Sequence, residues 1–447
     1  MDEKALRARY QSTFVSATDP KRRAATLLGY SRAAARNYVE FVADLIDLSR
    51  RRAMDPFNLV RLQRWMLQHV IPMQRDLGLC KERLRDGNLA DAERQDLLSE
   101  SDMLATTTKA IREVGSGMVW RALGHDRAAY FLLGQGHLPS AIEGPGLLAE
   151  SEEQTRIIEE QEGIPILSSL TNCVRIGDIL VFSETDEGRR ITVSEVKTKK
   201  QKTERFRRQR DRQNEVVTIL NEGKGTFEKV EYRIAIREVE QENYLPAVMN
   251  LLQEARTRGL SGRTFDGYLR VDCVDFRSLR EDPMEEIERQ GGPTVQSWVK
   301  NGDLVIPMSN IEIKLPTVGT APFSVYPFPS DLCAALLMNA MAIFSTINVT
   351  EILRRIEKHG WRIIEDPETI MTEVSARGGD PREAGLAQIE KGARTIALPP
   401  MIIARLAFEF LRPRALLREL DQVFKEGPLP EGERFLSYYP GEERTWR

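Results

Sequence analysis

The sequence predicts an α/β fold of the α+β kind: a mixed sheet core flanked by helices, with a helical N-terminal region and a C-terminal α/β extension. Three observations predict it. Residues 1–100 place apolar side chains at helical spacing. Two β-branched, apolar runs, Cys173–Phe182 and Arg190–Val196, lie a short turn apart. A long charged helical segment follows them, and then a further strand signal.

The chain has 447 residues, enough for about two to three domains at ~150 residues each. Composition shifts place them at 1–100 (helical region), 101–285 (core) and 286–447 (α/β extension). Apolar residues make up 41%, which supports proper cores and excludes global disorder. Lys and Arg total 64 against 67 Asp and Glu, a net charge of −3. That balance excludes a uniformly basic nucleic-acid coat and an acidic tail protein, but not a locally basic surface.

Taken in order, Tyr30–Arg52 carries Tyr38, Val42, Leu45, Ile46 and Leu48 on a helical stripe. Pro56 and Pro72 punctuate the helices that follow, and Asp86-Gly87-Asn88 is a turn. This helical region is expected to pack on or gate the core. Leu104–Leu123 reads as one helix, with Gly115 and Gly117 explained by close approach to a sheet. An apolar, strand-like AAYFLL lies between His125 and His137, and 134–146 is a Gly/Pro loop. Residues 143–162 hold seven Glu and one Arg and read as a solvated acidic segment. After the two strands and their turn at Glu184–Arg189, a helix is expected over 200–220 and a strand over Val230–Ile236. Gly267–Val274 and Asp303–Lys314 add sheet, and helices close the chain around 331–358 and 400–424. Leu332–Phe344 is the longest apolar stretch. It is too short to span a bilayer and reads as a buried helix.

Absences narrow the chemistry. The cysteines, Cys80, Cys173, Cys273 and Cys333, form no CxxC pair, and the four histidines show no HxxxH spacing. Neither a zinc ribbon nor a disulfide framework is written here. No G-x-x-x-x-G-K-[ST] loop occurs, which argues against a nucleotide-driven motor on this chain. The N-terminus lacks the apolar core of a signal peptide, so the cytoplasm is the expected location and no membrane partner is expected.

The informative stretch is Gly177–Lys200, GDILVFSETDEGRRITVSEVKTKK. Asp178 opens one expected strand, and Glu195 and Lys197 end the next. Side chains at i and i+2 of a strand share a face, and a hairpin sets the start of its first strand beside the end of its second. Asp178, Glu195 and Lys197 then converge. The carboxylates of Asp178 and Glu195, with the Val196 carbonyl, suit a hard cation such as Mg2+ or Mn2+. Such a cation activates water toward a phosphodiester, and Lys197 orients that water or offsets charge on the phosphate.

This arrangement resembles the PD-(D/E)xK nuclease superfamily, the restriction-endonuclease-like fold, over residues 104–238. The resemblance is carried by Asp178, Glu195-Val196-Lys197 and the helix–strand–strand–helix order. It implies a metal-dependent phosphodiesterase, an endonuclease rather than an exonuclease, acting on DNA more than RNA. It also implies an acidic metal ligand on the first core helix, for which Glu113 is the candidate, and a polar residue on the helix after the lysine strand, Gln209 or Gln213. The Pro-Asp of the family name is absent, because Gly177 precedes Asp178. A nuclease core inside large extensions suggests bacterial genome or anti-phage defence, with an ATPase or other protein partner, or a homo-oligomer. The alternative is a non-catalytic nucleic-acid-binding or scaffolding protein that retains the fold.

Two further features bear on the choice. Lys197–Gln213 holds nine basic residues against two acidic ones. Lys199, Lys200, Lys202, Arg205, Arg208, Gln209 and Arg212 are therefore the candidate contacts to nucleic-acid phosphates. A rival set, Asp303 with Glu312 and Lys314, repeats the acid and ExK pattern. It is interrupted by Pro307, with Pro316 and Gly319 where the supporting helix should follow.

Overall fold

The computed structural model describes residues 32–51, 55–86, 88–135, 145–160, 162–186, 188–196, 204–236, 242–278, 283–310, 320–365, 387–398, 401–425 and 433–438. Its helices are α1 (Arg32–Arg51), α2 (Pro56–Arg83), α3 (Asp91–Ala122), α4 (Arg127–Leu133), α5 (Pro145–Glu159), α6 (Glu204–Glu222), α7 (Leu245–Arg258), α8 (Pro283–Lys300), α9 (Ser330–Leu337), α10 (Val349–Lys358), α11 (Met401–Phe408) and α12 (Pro413–Lys425). Its strands are β1 (Ile164–Leu167), β2 (Ile179–Thr185), β3 (Gly188–Ser194), β4 (Lys224–Phe227), β5 (Val230–Ile236), β6 (Leu260–Phe265), β7 (Leu269–Asp275), β8 (Val305–Ser309), β9 (Met341–Asn348), β10 (Arg362–Glu365), β11 (Ala387–Lys391), β12 (Arg394–Leu398) and β13 (Glu433–Tyr438). The class is α+β, with small sheets among many helices. No helix among the described residues is long and apolar enough to cross a membrane.

The chain divides into two compact units. The first is Met1–Ala235 with Ala321–Ala340 and Arg434–Leu436, and the second is Ile236–Thr320 with Met341–Glu433 and Ser437–Arg447. The boundaries expected at 100 and 285 fall inside α3 and α8. The apolar stretch Leu332–Phe344 is not one helix. Helix α9 ends at Leu337, Asn339 takes a positive φ of 53°, and β9 begins at Met341. Asn tolerates the left-handed region better than most residues, so it breaks the helix where one unit gives way to the other.

In the first unit, α1 buries Tyr38, Val42, Leu45 and Ile46 as their spacing implies. Asp55 caps α2 through the Phe57 amide, with Pro56 in the first turn where its missing N–H costs nothing. Pro72 does not end that helix. It lies inside α2, between the buried Val70 and Met73, so tertiary packing outweighs the lost backbone hydrogen bond. The AAYFLL segment is helical, not strand-like: it forms most of α4, whose start is capped by Asp126 accepting from the Ala129 amide at 3.0 Å. Gly115 does mark a close approach, to the 3-10 turn that follows β1. A β-carbon there would stand 2.0 Å from the Leu170 carbonyl oxygen.

The central feature is a three-stranded sheet in the order β1-β2-β3, antiparallel throughout rather than mixed. Helix side chains close both of its edges. On β1, the Gln63 amide of α2 donates to the Pro165 carbonyl at 2.9 Å and accepts from the Leu167 N–H at 2.8 Å. On β3, Asn221 of α6 does the same to both backbone groups of Ile191, each at 2.9 Å. Each amide stands in for a neighbouring strand and removes an edge that would otherwise pair promiscuously. β5 lies instead in a separate sheet, with β4 and β13. Because Gln63 completes β1, α2 is an integral support of this sheet.

In the second unit a four-stranded antiparallel sheet, β6-β7-β9-β8, packs against α7, α8 and α11. Pro307 sits on β8, an edge strand, which accommodates its missing N–H. A smaller sheet, β10-β11-β12, lies beside α10.

Candidate active site

The hairpin sets the geometry. Ile179 pairs with Ser194 in the β2/β3 ladder, so Asp178 and Glu195 lie just beyond its last rung, at the mouth of the hairpin. Asp178 is held through its backbone on both sides: Ser168 N–H donates to its carbonyl at 2.9 Å, and its own N–H donates to Ser194 at 3.0 Å. Its Oδ2 accepts the Val196 N–H at 2.9 Å. The carboxylate is thereby anchored across the hairpin mouth.

Gly177 explains why no proline precedes this aspartate. Its φ is 65°, and a β-carbon would lie 2.1 Å from Val193 Cγ1 and 3.2 Å from Gln213 Nε2. Proline is confined to φ near −65°, so the backbone that presents Asp178 excludes it.

Glu195 is fixed by the following helix. Its Oε1 accepts from the side-chain amides of both Gln209 and Gln213. These glutamines sit four apart on α6 and so share one face. Both candidates for the polar helix position therefore meet the same carboxylate.

An acid on α5 that feels the charge of Asp178 is Glu150, which the sequence reading passed over. The four-residue link 160–163 returns the chain from α5 to β1, and α5 packs along that strand. Burial, and secondarily the charge of Asp178, push the Glu150 carboxyl up to about 7. Its Oε2 is buried with no hydrogen-bond partner. The signal available in the sequence was the spacing of Glu150, Gln154, Ile157 and Ile158, an i, i+4, i+7, i+8 face; the last three are buried.

Glu113 occupies a different place. It is buried on α3, where Asn172 Nδ2 donates to its Oε2 at 3.0 Å, and burial raises its pKa. Its charge is felt by Tyr130 and Cys173, whose groups are also pushed up by burial. It holds the segment leading to β2, and the described contacts do not bring it to Asp178.

Lys197, Lys199, Lys200 and Lys202 lie outside the described residues, as does the Arg205 side chain. Arg208 is exposed and pairs with Glu204. Arg212 is engaged with Glu228 at 2.8 Å and lies over the Phe227 ring at 5.1 Å. Arg207 and Arg210 are exposed on the same helix and extend its basic surface. Of the rival set, Glu312 and Lys314 lie outside the described residues. Asp303 accepts from Asn348 Nδ2 at 2.8 Å and faces Arg354 at 3.7 Å, which ties it to the start of α10.

Carboxylate oxygens are the donors a hard cation takes; burial first, and the charge of Asp178 second, raise Glu150, whose Oε2 is buried without a partner. Among the described residues, no group of three or more His, Cys, Asp or Glu is arranged to hold a metal ion. Comparison with protein-family models, curated proteins and solved structures finds no match for this chain.

Glu150 makes a pH prediction. Its folded pKa of about 7 exceeds the ordinary glutamate value of ~4.3. Between those values the folded chain holds a proton that the unfolded chain has released. The contribution is complete below ~4.3 and is lost as pH rises through about 7. Urea midpoints without divalent cations are expected to fall between pH 5 and pH 8 more in the wild type than in Glu150→Gln. Equal slopes would place Glu150 in water, away from Asp178.

Proposed function

We propose that the chain is a metal-dependent nuclease that hydrolyses phosphodiester bonds, in DNA by preference, at the mouth of the β2/β3 hairpin. The observation that carries this reading is an Asp178 anchored across the hairpin mouth by the Val196 N–H, with the half-buried Glu150 close enough to feel its charge. Two anions held together in this way favour a divalent cation over a pair of charges. Asp178 and Glu150 would hold Mg2+ or Mn2+, with Glu195 as the next acidic neighbour. When bound, the cation supplies Lewis-acid activation of water and of the phosphoryl oxygens. Gln209 and Gln213 orient Glu195. The exposed arginines of α6, with the lysines of 197–202, attract the substrate backbone and make binding salt-dependent. A role in genome defence, and an ATPase or other partner, belong to this proposal as its expected setting.

The test is cleavage of labelled DNA and RNA by the purified chain with Mg2+ or Mn2+. Cutting is expected to require the cation and to be lost in Glu195→Ala and Lys197→Ala, with circular dichroism unchanged. Salt-sensitive binding without any cutting would favour the non-catalytic nucleic-acid-binding reading. Loss of cutting in Glu312→Ala alone would move the site to the second unit.

A further inference from the structure

The second unit carries a ladder of two stacked rings capped by two cations. Tyr244 and Phe265 are buried, with ring centroids 4.6 Å apart and planes 25° from parallel. The Arg412 guanidinium lies over the Tyr244 ring at 4.7 Å, and that of Arg263 lies over Phe265 at 5.7 Å. Both arginines are exposed, and neither forms an ion pair among the described residues. The neighbouring carboxylates are already engaged: Asp266 accepts the Tyr244 hydroxyl, and Glu242 faces Arg418 at 2.8 Å. Paired backbone presents each cation. Arg263 pairs with Val271 in the β6/β7 ladder. The Arg412 N–H donates to the Glu242 carbonyl at 2.8 Å, beside the Asn243–Leu411 bridge.

A ring beneath a guanidinium orients its plane and leaves the outer face and the N–H edges for a ligand. An unstacked nucleobase offers a flat face to that plane, and the adjoining phosphate accepts from the edge. A double helix hides its base faces, and an acidic peptide uses only the charge. We propose that the Arg412–Tyr244–Phe265–Arg263 ladder is a docking surface for single-stranded nucleic acid, with bases stacked on the two exposed guanidiniums. Tyr244 and Phe265 are positioning residues, because burial keeps both rings from the nucleic acid itself. The surface needs neither a cation nor the carboxylates of the β2/β3 hairpin, so it does not rest on the nuclease reading.

Fluorescence anisotropy of labelled oligothymidylate with the full chain tests this, in chelator so that nothing is cut. Arg263→Ala and Arg412→Ala are compared with Arg263→Lys and Arg412→Lys, and thermal unfolding checks that each variant folds. Loss of one base stack weakens affinity by about five- to a hundredfold. Each alanine variant is expected to lose affinity in that range. Each lysine variant keeps the charge without the plane and is expected to lose nearly as much. Affinity for a labelled duplex of the same length is expected to change little. Absence of binding by the wild type, or wild-type affinity in the folded alanine variants, overturns the surface. Full rescue by lysine overturns the stacking and leaves a charge contact. Equal losses for single strand and duplex overturn the preference for unpaired bases. Tighter binding of poly-glutamate, weakened in the same variants, assigns the surface to an acidic protein instead.

Discussion

Asp178→Asn is expected to reduce Mg2+-dependent cleavage by about a hundredfold or more and to weaken Mn2+ binding, while leaving the hairpin folded. The anchor on Asp178 is a hydrogen bond from the Val196 N–H to a side-chain oxygen. Asparagine keeps an acceptor oxygen there, so the hairpin mouth retains its closure. What disappears is the charge, which is the part a cation uses. The same charge helps hold the Glu150 carboxyl near 7, so its removal should bring Glu150 back toward the ordinary range. Without divalent cations, Asp178→Asn should therefore be at least as stable as the wild type at pH 8, because two like charges no longer face each other. Activity and stability would then move in opposite directions, as expected when a binding site stores unfavourable electrostatics. Wild-type cleavage by a folded Asp178→Asn would remove Asp178 from the mechanism.

The hairpin was legible because its signals are local. β-branched, apolar runs give the two strands, and the short turn between them sets the strands side by side. Gln209 and Gln213 were named through the resemblance alone, and their four-residue spacing, which puts both on one face of α6, explains why both reach Glu195. Glu150 was not legible by charge. Seven glutamates in 143–162 look like a solvated segment, and only the burial of Gln154, Ile157 and Ile158 shows that one face of that segment is inward. Glu113 entered through the resemblance, as the acid of the first core helix, yet the helix directly before the three-stranded sheet is α5. AAYFLL and Leu332–Phe344 failed for another reason: short apolar runs do not reveal their own period. In the first the Asp126 cap decided for helix, and in the second Asn339 ended one. The closure of both sheet edges by Gln63 and Asn221 could not be read at all. These residues lie 102 positions before Pro165 and 30 after Ile191, and nothing local marks them.

Gly177→Pro would write the Pro-Asp pair of the resembled superfamily into this chain, and it is expected to damage the site severely. Resemblance alone would make the change look harmless. The backbone argues otherwise, because φ at 177 is positive while proline is held near −65°. The backbone would have to turn over just before β2. That would break the contacts that present Asp178, the Ser168 N–H to its carbonyl and its own N–H to Ser194. The new ring would also enter space already filled by Val193 and the Gln213 amide, pulling Gln213 away from Glu195. A proline in incompatible backbone costs about 3 kcal/mol or more. Gly177→Ala, with only the left-handed strain and the same crowding, should cost less, with the strain alone at ~1–2 kcal/mol. Urea midpoints should fall in the order wild type, Gly177→Ala, Gly177→Pro, and Mn2+ affinity should fall with them. If Gly177→Pro keeps the wild-type midpoint and affinity, Asp178 is not presented by this turn.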